Sequence, residues 1–72
     1  MKTIVFQKRT QILNRIKRLR LLQGFTQYQM GSFMGISQNA YYKLEKGKTK
    51  LDLDRLILLS IQFNIQLPDL VK

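Results

Sequence analysis

Cysteine and histidine are both absent from the 72 residues. No disulfide can staple the chain, and the thiolate and imidazole ligands of most zinc sites are missing. The lack of thiols fits a reducing cytoplasm. Acids are scarce: Glu45, Asp52, Asp54 and Asp69 are the four. Their spacing suits no paired-carboxylate chemistry, so an enzyme is not expected, and neither a metal nor a cofactor is implied. The single proline, Pro68, marks no linker, and no internal repeat or low-complexity segment appears. No apolar run approaches the ~18 residues of a membrane span. The opening MKTIVFQ is too short in apolar length for a secretory signal.

Against those four acids stand thirteen lysines and arginines, a formal net charge of +9. A chain this basic suits a polyanionic partner, either nucleic acid or an anionic membrane surface. The length predicts one domain over residues 1–72 with a small core, since chains of this size bury only about 60% of their unfolded surface.

The most informative stretch is TQYQMGSFMGISQNAYYKLEKG, residues 26–47. Thr26 followed by Gln29 has the form of a capping box, and opens a short helix over about Gln27 to Phe33. Met30, with Phe33 or Met34, supplies its apolar anchors. Gly35 falls where a chain leaving a helix enters the left-handed region. Ser37 is then a good N-cap for a second helix that Gly47 ends. The 100° period puts Tyr41 and Leu44 on one face of that helix, flanked by Ser37 and Glu45. Gln38, Asn39, Tyr42, Lys43 and Lys46 share the opposite face. Amides can pair with an adenine edge in a major groove, and lysines serve phosphate or guanine. This face therefore reads as a candidate for base recognition.

Upstream, a helix is predicted from Lys8 or Thr10 to Gln23. Ile12, Ile16 and Leu19 form its stripe, with Leu13 and Leu22 on either side and basic residues, Arg15 among them, mostly outside. A membrane-surface helix shows the same pattern. Such an anchor would not be followed by further helices carrying apolar stripes of their own, so membrane binding is not expected. Residues 1–7 remain open between a flexible arm, a leading helical turn and a strand pairing with a second copy. Downstream, Asp52 is a suitable N-cap for a helix to Phe63, with Leu53, Leu56, Leu59, Ser60 and Phe63 inward. Leu58 and Ile61 lie on its far side with Ile57 beside them, a candidate patch for a second subunit or other protein. Pro68 suits the first turn of a last short helix through Val71.

Taken together, Thr26-Gln27, Met30, Gly35, Ile36, Ser37-Gln38, Leu44 and Glu45-x-Gly47 resemble the helix-turn-helix of the phage repressor and Cro-like (XRE-type) DNA-binding domains. The resemblance extends through Leu19-Arg20 and Gly24 upstream and Leu56, Leu59, Phe63, Ile65 and Leu70 downstream, about residues 12 to 71. It implies an all-α, lambda-repressor-like fold of five short helices. It also implies a sequence-specific regulator of transcription, a repressor acting on double-stranded DNA as a homodimer in a bacterial or phage-encoded setting, in the cytoplasm with the nucleoid. Carried over residue by residue, Gln38, Asn39, Tyr42 and Lys43 would face bases. Gln27, Ser37, Lys46, Lys48 and Lys50 would face phosphates, Gln27 touching the backbone and Gln38 at once. Arg20 would pair with Glu45. Gly31 stands where the family usually has alanine, Phe33 replaces a usual polar residue and is expected to pack, and Tyr41 replaces a smaller aliphatic, so its hydroxyl needs a partner. The same fold could instead serve as an antitoxin-like or accessory module holding a protein through the α-helical patch and the first seven residues, with DNA binding secondary.

Overall fold

Five helices and no strand make up the computed structural model, which describes all residues, Met1–Lys72. They are α1 (Lys2–Leu22), α2 (Gln27–Met34), α3 (Gln38–Glu45), α4 (Leu53–Phe63) and α5 (Leu67–Val71). No helix is long and apolar enough to cross a membrane.

Local chemistry sets most of the helix ends. The Thr26 hydroxyl accepts from the Gln29 N–H at 3.0 Å, and the Gln29 side chain accepts from the Thr26 N–H at 2.9 Å. Both halves of the capping box are thus formed. Ser37 Oγ accepts from the Ala40 N–H, and Asp52 Oδ1 from the Arg55 N–H. At the far end of α2, Gly35 takes φ 71°, left-handed backbone that a side chain would disfavour. Asn64 fills the same role after α4 at φ 56°, one of the few non-glycine residues suited to it.

Helix α1 begins at Lys2, not at Lys8 or Thr10, so of the three readings residues 1–7 take that of a helical lead-in, not a separate arm or a strand. The Val5 N–H already donates to the Met1 carbonyl at 3.0 Å. The first turn has no side-chain cap and no acid, which are the usual markers of a start. Strand propensity at Ile4 and Val5 yields because lengthening an existing helix adds a bond for each residue ordered.

Every helix contributes to one cluster: Ile16 from α1, Met30 from α2, Tyr41 from α3, Leu59 and Phe63 from α4, and Leu70 from α5. Three residues expected inside lie outside. Leu22 and Leu53 are 79% and 63% exposed because they occupy helix ends that outrun the core. Phe33 is 40% exposed on the outer side of α2 and is not part of the packed cluster.

Two polar ties fix α1 to the C-terminal helices. Gln23 Nε2 donates to the Phe63 carbonyl at 2.9 Å, closing the end of α4. Arg15, placed by periodicity on the solvated face, donates to the carbonyls of Leu70 and Lys72, each at 2.8 Å. A cation over the last carbonyls of α5 satisfies acceptors that the helix itself cannot.

The α2–α3 corner is the tightest place in the fold. The Ile36 N–H donates to the Gly31 carbonyl at 2.9 Å. A Cβ at Gly31 would stand 2.9 Å from the carbonyl oxygens of both Ile36 and Ser37. Glycine is thus required by backbone approach, despite costing about 1 kcal/mol of helix propensity.

Candidate nucleic-acid interface

Tyr41, Leu44 and Glu45 hold α3 to the rest of the molecule, all three buried. The opposite side carries Gln38, Asn39, Lys43 and Lys46, all exposed. A helix of eight residues anchored by one face must present the other outward, and here nothing covers it.

The anchor is polar as well as apolar. Arg20 Nε donates to Glu45 Oε2 at 2.9 Å and Arg20 Nη2 to Oε1 at 3.0 Å, a two-pronged pair between α1 and α3. Arg20 Nη1 also donates to the Phe25 carbonyl at 3.1 Å. The Tyr41 hydroxyl donates to Glu45 Oε2 at 2.6 Å, which is the partner that its burial demands. Burial alone would raise the Glu45 pKa. The hydrogen bonds from Arg20 and then Tyr41 outweigh it, aided by the arginine charge and the Gln27 side chain, and hold the carboxyl below its usual range. The Glu45 hydrogen bond raises the Arg20 guanidinium pKa against the opposing effect of desolvation. Burial, followed by the bond to Glu45, pushes the Tyr41 phenol well above its ordinary value. No buried side-chain polar atom lacks a partner. Such a network fixes orientation more surely than it adds stability.

Gln27 is half-buried at the first position of α2, and its side chain turns toward Glu45. It makes no hydrogen bond to Gln38 in the absence of DNA. The capping box occupies the Gln29 N–H, and the Met30 N–H bonds the Thr26 carbonyl at 3.0 Å. The N–H groups of Gln27 and Tyr28 stay open at the positive end of the helix, an arrangement that favours an anion.

Tyr42 departs from the expectation that it faces outward beside the amides. Its ring is half-buried, with the Lys48 ammonium 5.5 Å and the Lys46 ammonium 5.9 Å from the centroid. The aromatic face therefore gathers two cations that would otherwise be independent. Ser37 is exposed, and its oxygen is already engaged by the Ala40 N–H, leaving the hydroxyl proton free to donate. Lys50 is exposed in the loop before α4.

A cleft of about 350 Å³ runs along this side, lined by Ser37, Asn39, Lys43, Thr49 and Arg55 among others. None of its lining residues is acidic. Thr49 and Arg55 were not singled out by sequence reasoning. Arg55 is half-exposed and tied to Asp52 Oδ2 at 3.0 Å, so the Asp52-x-x-Arg55 spacing at a helix start was the available signal. Ile57 and Ile61 are exposed on α4, while Leu58 is half-buried and contributes less to that surface than expected. The lining of this cleft and the solvent-facing side of α3 together describe a cationic, amide-bearing surface on a helix-turn-helix.

The class defined by this geometry is matched independently. A family model described as helix-turn-helix covers residues 16–70. The chain belongs to this helix-turn-helix family, of the XRE type that its motif resembles. A relative in Bacillus subtilis (strain 168), the SPbeta prophage-derived uncharacterized HTH-type transcriptional regulator YonR, is 41% identical over 46 residues. That span is 64% of this chain and 43% of the relative, so the chain covers less than half of the curated protein it matches. No solved structure gives a significant match.

Proposed function

We propose that this domain is a transcriptional regulator that binds double-stranded DNA in a sequence-specific manner, most simply as a repressor. The observation that carries the reading is the exposed amide-and-lysine side of α3, held out by a buried Arg20–Glu45–Tyr41 network. In this reading α3 enters the major groove with Gln38, Asn39 and Lys43 toward base edges. Tyr42 serves mainly by holding Lys46 and Lys48 in place for phosphates. Lys50, Ser37 and the α2 start at Gln27 complete the backbone contacts. The relative's name, an HTH-type transcriptional regulator of prophage origin, supports the assignment and a bacterial or phage-encoded setting.

Two copies would read half-sites about 34 Å apart, one helical turn of DNA. Ile57 and Ile61, 40% and 62% exposed, supply an apolar patch for such pairing. Selection from random duplex DNA tests the whole reading. The expected product is a palindromic consensus, and enrichment without any shared sequence would overturn it.

An accessory or antitoxin-like role is favoured by one separate observation. The start of α1 projects the apolar side chains of Ile4, Val5 and Phe6 into solvent.

A further inference from the structure

The first turns of α1 have no evident use within the domain. Ile4, Val5 and Phe6 are 65%, 57% and 58% exposed, and no residue before Ile16 is buried. This overhang forms one wall of a trough of about 790 Å³ whose other wall is the chain from Gly47 to Leu51. Its floor is apolar, with Ile12, Leu13, Leu51 and Leu56 each half-buried there. Both walls are cationic, Lys8 and Arg9 on the helix and Lys48 and Lys50 on the loop, and no acid lines the trough. The Arg9 guanidinium lies over the Phe6 ring at 5.8 Å, on the same overhang.

We propose that this trough is a docking site for an acidic amphipathic helix of a partner protein. The occupant lays its apolar stripe on Ile4, Val5 and Ile12 and turns carboxylates to the two basic walls. From Ile4 to Ile12 the rise is about 12 Å, two turns of helix, enough for anchors at i, i+3 or i+4, and i+7. Charge decides among occupants. A second copy would bring Lys2, Lys8 and Arg9 against the same cations. A phosphate backbone would satisfy the walls and leave the apolar floor exposed. An acidic amphipathic helix satisfies both. Because Lys48 and Lys50 belong to one wall, occupancy removes them from DNA, so the partner acts as an antagonist of binding. That last clause rests on the proposed DNA-binding role, whereas the docking itself does not.

The test selects displayed helical peptides of about four turns, randomised in sequence, on the full chain. Enriched peptides are expected to share an apolar stripe flanked by Asp or Glu. A synthesised winner should lose affinity by about tenfold or more on Ile4→Asp, the cost of one well-packed anchor. An acid in the first turn of α1 suits the helix dipole, so this variant should keep its fold. Lys8→Glu, which spares the floor, should weaken the same peptide and reduce its salt dependence. Duplex DNA of the selected consensus should compete with the peptide. The proposal is overturned if winners carry no acidic bias or bind Ile4→Asp equally. It is equally overturned if phosphatidylglycerol vesicles bind the chain and displace the winner, or if Ile4→Asp dissociates a dimer in sedimentation. A wild-type chain that ignores DNA yet binds the peptide would sink the regulator reading alone, and the reverse result would sink only this one.

Discussion

Glu45 Oε2 accepts from two donors at once, the Tyr41 hydroxyl at 2.6 Å and Arg20 Nε at 2.9 Å. One carboxylate oxygen therefore joins α1 to two positions of α3. Tyr41→Phe removes one donor and leaves the other. The expected loss is about 1.5–3 kcal/mol in chemical denaturation, the range for one hydrogen bond to a charged group, since Arg20 still satisfies the acceptor. DNA preference should be unchanged.

Removing the arginine is harsher. Arg20→Met leaves a buried carboxylate unpaired and should cost about 3–5 kcal/mol, while Arg20→Met with Glu45→Met should recover much of that. Denaturation free energies of four proteins, the wild type, Arg20→Met, Glu45→Met and the double variant, measure the coupling. Additive losses would show that the pair does not act as a unit.

The same network makes stability fall in acid. The folded-state Glu45 pKa lies below its ordinary value, so its contribution is complete above the unfolded value, about 4.3. It is lost as pH falls through the folded value. Urea titrations between about pH 3 and pH 6 should show this slope in the wild type and a flatter one in Glu45→Gln.

Gly31→Ala sets two effects against each other. Alanine adds about 1 kcal/mol of helix propensity. Its Cβ, however, would lie 2.9 Å from two backbone oxygens, neither of which can rotate away. A lowered thermal midpoint is expected, and a raised one would mean that the corner relaxes freely.

Substitutions on the exposed side of α3 should separate by kind. Gln38→Ala should cost about 1–3 kcal/mol at one base position. Lys50→Ala should weaken all sequences alike and reduce the salt slope by about 1. Tyr42→Leu should behave like the lysine, because the ring gathers Lys46 and Lys48. Mobility shifts across a salt series distinguish the two patterns.

Much of the fold was legible because its signals are local. Thr26 with Gln29, Gly35, Ser37 and Asp52 declare helix ends through short-range bonds, and each end falls where those residues place it. What escaped is what depends on distance. Periodicity assigns Leu22 and Leu53 a face but cannot tell where a helix outruns its core. It puts Arg15 outside without revealing that the end of α5 waits there. The start of α1 was hidden because Met1 offers no cap and Ile4 and Val5 speak for strand. Arg55 reaches the α3 cleft only through the turn of chain between Gly47 and Asp52, and its spacing from Asp52 marks the helix start without revealing that neighbour.

The missing side chain at Gly31 bears on how this domain could be retargeted. With α2 and α3 welded at that corner, the pitch of the outward helix is inherited from the scaffold, not from whatever residues occupy positions 38, 39 and 43. On the proposed reading, new target sequences would come from exchanging those three letters, while the angle between α2 and α3 stays constant.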